Sequence, residues 1–206
     1  MQTILITGFG PFGTLGDNPS AAIAARLDGT VVEGRRLVGC VLPVAIEPLA
    51  SRLETLVERL QPAAVLQFGV AETSDRLRLE RRAVNQAAFS IPDIAGVTWR
   101  DRALVEGGPA QLATTLPLGA IADAWRIGGL AYALSDDAGR YVCNAAFYFT
   151  LMLAQRARPT FPAGFIHVPL PQEVNPASRV RRDAMIEAAR RAVEVTLLHR
   201  TDPAAV

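Results

Sequence analysis

The sequence predicts an α/β protein: a three-layer α/β/α sandwich around a mostly parallel, mixed sheet. Two observations predict it. Short apolar runs of strand length recur at Thr3 to Thr7, Ala63 to Phe68, Leu130 to Leu134 and Gly164 to Val168. Between them lie stretches with helical spacing, such as Leu49, Leu53, Leu56, Val57 and Leu60. Strands that alternate with helices imply a mostly parallel sheet covered by helices.

The elements follow in order. Thr3 to Thr7 reads as a buried strand. Asn18-Pro19 is a helix start, with Asn as N-cap and Pro at the first helical position, and the helix runs to about Leu27. Val31 to Leu42 is β-rich, with Cys40 in its apolar middle. Glu47 to Leu60 is an amphipathic helix, and Ala63 to Phe68 a strand ending at Gly69. Leu77 to Val84 reads as a strand with a charged face. Phe89 to Pro117 holds many turn residues and reads as a loop-rich excursion. Leu118 to Ile127 is helical, Leu130 to Leu134 a strand, and Asn144 to Arg156 an apolar helix. Gly164 to Val168 is a strand that ends at "VPLP". Asn175 to His199 reads as a long amphipathic helix, opened by a second Asn-Pro.

The 206 residues predict one domain, 1–206, able to bury a sizeable core. A formal net charge of +1 gives no reason to expect nucleic acid or an anionic membrane as partner. All 21 basic residues are Arg, which reads as compositional bias. No apolar run approaches the ~20 residues of a membrane span. The N-terminus shows no basic region followed by an apolar stretch and a cleavage site, so the expected location is cytoplasmic. Two cysteines make no disulfide framework, and the scattered His and Cys make no zinc spacing.

"TGFGPFG", Thr7 to Gly13, contains Gly8, Gly10 and Gly13 as an intact G-x-G-x-x-G, with Glu33 twenty residues further on. A dinucleotide site needs its helix to begin inside that motif. Here the helix start lies five residues beyond Gly13, and Phe9, Pro11 and Phe12 put bulk where phosphate must approach. The segment reads instead as a tight turn from strand to loop. It either presents two phenyl rings or buries both in the core.

Three further residues could form a catalytic set. Cys143 follows the turn residues Asp136 to Gly139 and opens an apolar helix. It is either a thiolate favoured by that helix N-terminus or, like Cys40, a buried inert thiol. His167 lies near the C-terminal end of a strand, where active-site groups of open α/β sheets gather; a satisfied structural histidine is the alternative. His199, in the last turn of a helix, reads as solvated. Alternation puts Arg78, Glu80 and Arg82 on one strand face, which is either a solvated charged face or the source of a carboxylate. Cys, His and a carboxylate are what thiol acyl transfer needs.

Four segments, in order, resemble the pyroglutamyl-peptidase (pyrrolidone-carboxylate peptidase) family of cysteine peptidases. They are "TGFGPFG…NPS" at 7–20, "LERRAVNQ…IPD" at 79–93, "SDDAGRYVCN" at 135–144 and "FIHVPLP" at 165–171. The resemblance implies removal of N-terminal pyroglutamate from peptides or small amides without metal or cofactor. It implies Cys143 as nucleophile, His167 as general base and acid, and Glu80 as orienting carboxylate. The Cys143 backbone N–H would serve in the oxyanion hole. It also implies a ring slot shaped by Phe9 and Phe12, supported by Asn18 and edged by Tyr141 and Val142, in a homodimer or homotetramer. The family carries Asp where Gly10 stands, a small residue where Glu72 stands, and Arg where Ser90 aligns. The last departure implies slow turnover; Arg82, on the Glu80 face by alternation, could either offset it or pair with Glu80 and weaken its hold on His167. An altered N-acyl or lactam substrate, or a non-catalytic binding protein, are the other readings.

Overall fold

A computed structural model describes residues 2–13, 15–89 and 91–200. Ser90 lies outside the described residues. The core is a seven-stranded sheet. Its central strands are β1 (Thr3–Phe9), β4 (Ala64–Val70) and β11 (Ala163–Val168), every residue of which is buried except Thr3 and Val70. Strands buried on both faces read as continuous apolar runs, which is why these three were legible. β3 (Arg35–Leu42) lies parallel beside β1, and β2 (Val31–Val32) closes that edge as an antiparallel hairpin. At the other edge β5 (Leu77–Glu80) runs antiparallel to β11, and β10 (Tyr132–Ser135) runs parallel to β5. The order is β10-β5-β11-β4-β1-β3-β2, a mostly parallel, mixed sheet.

Helices cover both faces. α1 (Pro19–Leu27), α3 (Leu118–Ile127) and α5 (Arg182–Arg200) pack on one side through Ile23, Leu27, Ile121, Trp125, Ala188 and Val193. α2 (Leu49–Leu60) and α4 (Val142–Arg156) cover the other through Leu49, Leu53, Val142, Phe147 and Leu151. Asn18 caps α1, its side chain accepting from Ser20 N, with Pro19 at the first position as expected. The first turn of α1 presses on β1 at Gly8, where an added Cβ would stand 2.0 Å from the Ser20 carbonyl oxygen. Gly8 therefore serves helix–strand packing.

Four expectations are corrected. The second Asn-Pro does not open a helix: α5 begins at Arg182. Asn175 instead accepts from Ala177 N in a turn, and the segment pairs with other loops through Arg179 N to Asp75 O and Gln172 N to Val180 O. Leu77 to Val84 breaks at Arg81 into β5 and β6 (Arg82–Val84), and β6 joins β9 (Gln111–Ala113) in a separate two-stranded sheet. The loop-rich excursion thus holds three short strands, β9, β8 (Trp99–Arg102) and the end of β7 (Ala87–Phe89), the last two paired with each other. Cys40 is half-buried, because β2 pairs only with Arg35 and Arg36 and leaves the rest of β3 as a sheet edge.

Candidate active site

The site gathers at the C-terminal ends of β4 and β11, where the sheet changes direction. In the antiparallel register of β5 and β11, Phe165 faces Glu80 and His167 faces Arg78. Glu80 is therefore the diagonal neighbour of His167 on one sheet face, within reach of a long side chain. His167 Nδ1 lies 2.8 Å from Glu80 Oε1, with the carboxylate fully buried and the imidazole nearly so. Alternation along β5 held as read: Leu77 and Leu79 enter the core under α1, α3 and α5, while Arg78 and Glu80 point to the α4 side. The charged face is buried at Glu80, not solvated.

Cys143 comes down on the same face from the first turn of α4. Its sulfur sits over Gly69 of β4, where an added Cβ would be 2.9 Å from Sγ and 2.7 Å from the Phe165 ring. Gly69 is the register partner of His167, so the bare strand position that admits the thiol is the one next to the histidine. Asn144 fixes that turn: its side chain accepts from Val84 N and donates to the carbonyls of Val84 and Gln86. The N–H groups of Val142, Cys143 and Asn144 precede Ala145 N, which donates to Tyr141 O; as first-turn donors they have no intrahelical acceptor and can receive an oxyanion.

Of the two readings of Cys143, the surroundings oppose the thiolate. Burial, and after it the negative charge of Glu80, push the Cys143 thiol up to about 12, against a smaller lowering by backbone N–H. Cys143 is itself only half-buried, so water in the adjoining cavity moderates the burial effect, but its direction stands.

Beside Cys143 is a cavity of about 150 Å³ lined by Phe9, Phe12, Asn18, Val44, Val70, Glu72, Tyr141, Val142 and Cys143. All five residues singled out for the ring slot line it. Phe9 is both core and wall: it is buried and lies 6.4 Å from the Phe165 ring. Phe12 and Tyr141 stand 5.2 Å apart, and Phe89 meets Tyr141 edge-on at 4.7 Å. Asn18 donates to the Gly10 carbonyl while capping α1, which ties the loop that carries both phenyl rings to the helix. Gly10 itself has room for a side chain, its nearest neighbour being Leu42 O at 3.8 Å from an added Cβ. Larger hollows of about 420 to 560 Å³ border α4 elsewhere, but none is lined by Glu80, Cys143 or His167.

Arg82 does not share the Glu80 face. The break at Arg81 sends it to Asp136, whose carbonyl accepts from Arg82 Nε at 3.2 Å. Phe89 and Pro92, either side of Ser90, both touch Tyr141, the latter through its carbonyl. His199 is exposed. Glu33 stands at the β2–β3 hairpin tip with φ +47°, away from any strand end that could serve a ribose. Among the described residues no group of three metal-ligating side chains occurs, and no helix is long and apolar enough to cross a membrane.

Sequence reasoning missed Arg78, Gly69, Asn144, Val44 and Val70. Asn144 left a signal, a polar residue at the head of an apolar helix. Gly69 was visible only as the end of a strand.

The family described as pyroglutamyl peptidase matches residues 2–198. The pyrrolidone-carboxylate peptidase of Deinococcus radiodurans is 42% identical over 171 residues, 82% of this chain and 78% of that one. That of Pseudomonas fluorescens is 36% identical over 197 residues, 94% and 92% of the two chains. Among solved structures, pyrrolidone carboxyl peptidase from Thermococcus litoralis superposes with a TM-score of 0.94 at 33% identity, covering 98% of this chain and 96% of that one.

Proposed function

The chain belongs to the pyroglutamyl peptidase family, and from that premise we propose that it is a cysteine exopeptidase that hydrolyses N-terminal pyroglutamyl groups from peptides and small amides. The observation that carries the reading is the small cavity with Cys143 in its wall, next to the buried Glu80–His167 pair. A flat, uncharged lactam suits phenyl walls and a few backbone hydrogen bonds. The cavity holds a five-membered ring and little more.

In the proposed reaction the ring enters between Phe9, Phe12 and Tyr141, which sets the scissile carbonyl against Cys143. His167 Nε2 takes the thiol proton as the sulfur–carbon bond forms, because the protonated resting thiol must lose its proton during attack. The first-turn N–H groups of α4 receive the oxyanion. His167 then gives its proton to the leaving amine as the carbon–nitrogen bond breaks. Water, deprotonated by His167, attacks the thioester and releases pyroglutamate and the thiol. Glu80 holds the imidazole with Nδ1 protonated throughout. Ser is too short to supply the guanidinium expected at position 90, and Arg82 is engaged elsewhere, so turnover is proposed to be slow; an oxyanion donor is worth about 10²–10³ in rate.

The reading extends to residues 1–206 as one domain, to a cytoplasmic location and to a homodimer or homotetramer. The test is hydrolysis of a chromogenic pyroglutamyl amide by the natural protein and by Cys143→Ala. Hydrolysis that survives in the variant sinks the proposal.

An altered substrate is favoured by one observation: Glu72 is exposed yet lines the cavity, adding a carboxylate to an otherwise uncharged wall. Such a group suits a ring that carries a proton. A prolyl amide cleaved faster than a pyroglutamyl amide, with the preference reversed in Glu72→Gly, would establish that reading.

A further inference from the structure

Arg78 faces His167 directly across the β5–β11 pair. Its Nε lies 3.1 Å from Glu80 Oε1, the same oxygen that contacts His167 Nδ1. Its other end donates to Ser135 Oγ at 2.6 Å and to the Asp137 carbonyl at 2.5 Å. Ser135 and Asp137 open the turn that leads into the first turn of α4 and Cys143. One guanidinium thus ties the orienting carboxylate to the segment that carries the nucleophile. Three-quarters of the Arg78 side chain is covered, its relative exposure being 28%, so its charge acts with little screening.

We propose that Arg78 is a positioning residue of the reaction: it holds the Glu80 carboxylate in place against His167 and ties it to the turn that leads into α4. This rests on His167 acting as the base of the proposed peptidase. On this face β5 contributes the Glu80 carboxylate and the Arg78 guanidinium, α4 the Cys143 thiol, β4 the bare Gly69, and β11 the Phe165 ring, 4.8 Å from the imidazole. Arg78 joins Glu80 to the turn before α4. Without it, Glu80 Oε1 keeps its contact with His167 but loses the anchor that fixes its position.

Arg78→Met is expected to lower kcat on a pyroglutamyl amide by about tenfold with KM little changed, since displacement of a group near the reacting atoms costs rate rather than binding. Arg78→Lys should recover part of the loss. An equal loss in both variants, or a loss confined to KM, would make Arg78 merely structural and overturn the proposal. The chain has two histidines, so the hydrogen-bonded His167 Nδ1 proton can be followed by NMR and assigned with His199→Gln. Its resonance should move in Arg78→Met and return in Arg78→Lys; a resonance unmoved in Arg78→Met overturns the proposal. If Arg78→Met does not fold, Ser135→Ala keeps the charge but frees the guanidinium; a smaller movement of the resonance is then expected, and none again overturns the proposal. Should the natural protein leave the pyroglutamyl amide intact, the peptidase reading fails, while the His167 Nδ1 resonance still decides the role of Arg78.

Discussion

Cys40 and Cys143 are both half-buried, and both pack against the core on the α2–α4 side of one sheet. Their surroundings differ in every other respect. Cys40 stands on β3 with Thr7 of β1 as its register partner, and β1 and β4 separate it from His167 on β11. Cys143 stands in a helix first turn over Gly69, the strand neighbour of His167, with the charge of Glu80 felt at its sulfur. Exposure therefore does not distinguish the proposed nucleophile from the other thiol here. Nor is Cys143 marked by a lowered pKa, since burial and Glu80 push it up to about 12. What sets it apart is its place over a bare strand position whose register partner is His167, the proposed base.

The widest test exchanges the two thiols for methyl groups. Cys143→Ala should lower kcat/KM on a pyroglutamyl amide by at least about 10⁴-fold, as loss of a nucleophile does in a catalytic unit. Cys40→Ala should stay within about twofold and destabilise only slightly, as a half-buried site away from a functional feature does. Equal losses in both variants would erase the contrast. Next in size is Glu80→Gln, which keeps shape but loses the charge that fixes the His167 tautomer. A fall in kcat of about 10³–10⁴ is expected, with KM little changed; a change confined to KM would assign Glu80 to binding instead.

Gly69→Ala probes the bare strand position. The new methyl would meet Cys143 Sγ at 2.9 Å and the Phe165 ring at 2.7 Å. Phe165 is fully buried between Phe9 and Phe147 and cannot retreat far. Overpacking of this kind costs about 1–3 kcal/mol, and a displacement of about 1 Å at the nucleophile costs about 10²-fold in rate. Steady-state kinetics beside a denaturant titration separates the two effects. Unchanged kinetics would mean that the sulfur has another place to sit.

The same contrast marks what could be read from residues alone. Central strands, α1 with its Asn18-Pro19 start and α3 were legible because local chemistry and tertiary structure agree there. Asn175-Pro176 offered the same local signal, yet tertiary pairing of the 172–180 segment with Asp75 and its own turns held it out of the helix. The break at Arg81 was hidden because alternation continues in letters across a change of sheet. For the site, the roles of Glu80, Cys143 and His167 rested on resemblance, and only backbone register could bring Glu80 diagonal to His167. Arg78 was passed over for Arg82 for that reason. Between a thiolate and an inert thiol at Cys143 the sequence could not decide, because the burial and the carboxylate that oppose the helix N-terminus come from the fold.

The smallest expected effect lies in alkaline stability. The Cys143 thiol is raised from 9.0 to about 12 in the folded protein, by burial first and then by Glu80. A group whose folded value lies above its unfolded value binds its proton more tightly when folded, so its contribution is present below pH 9 and is lost as pH rises toward 12. Tyr141 behaves alike over a narrower window, raised from 10.0 to about 12 by burial and by the charges of Asp93 and Cys143. Its exposure to solvent and that of Cys143 make each slope shallow. Folding stability from denaturant titrations should therefore decline between pH 9 and 12 in the natural protein. Cys143→Ser, which does not ionise there, should flatten the part that starts near pH 9, and Tyr141→Phe the part that starts near pH 10. If instead Cys143→Ser and the natural protein lose stability in parallel, the sulfur is better solvated or better paired than its place over Gly69 implies. In that case the resting thiol would be poised closer to thiolate, and iodoacetamide would modify Cys143 ahead of Cys40 at neutral pH.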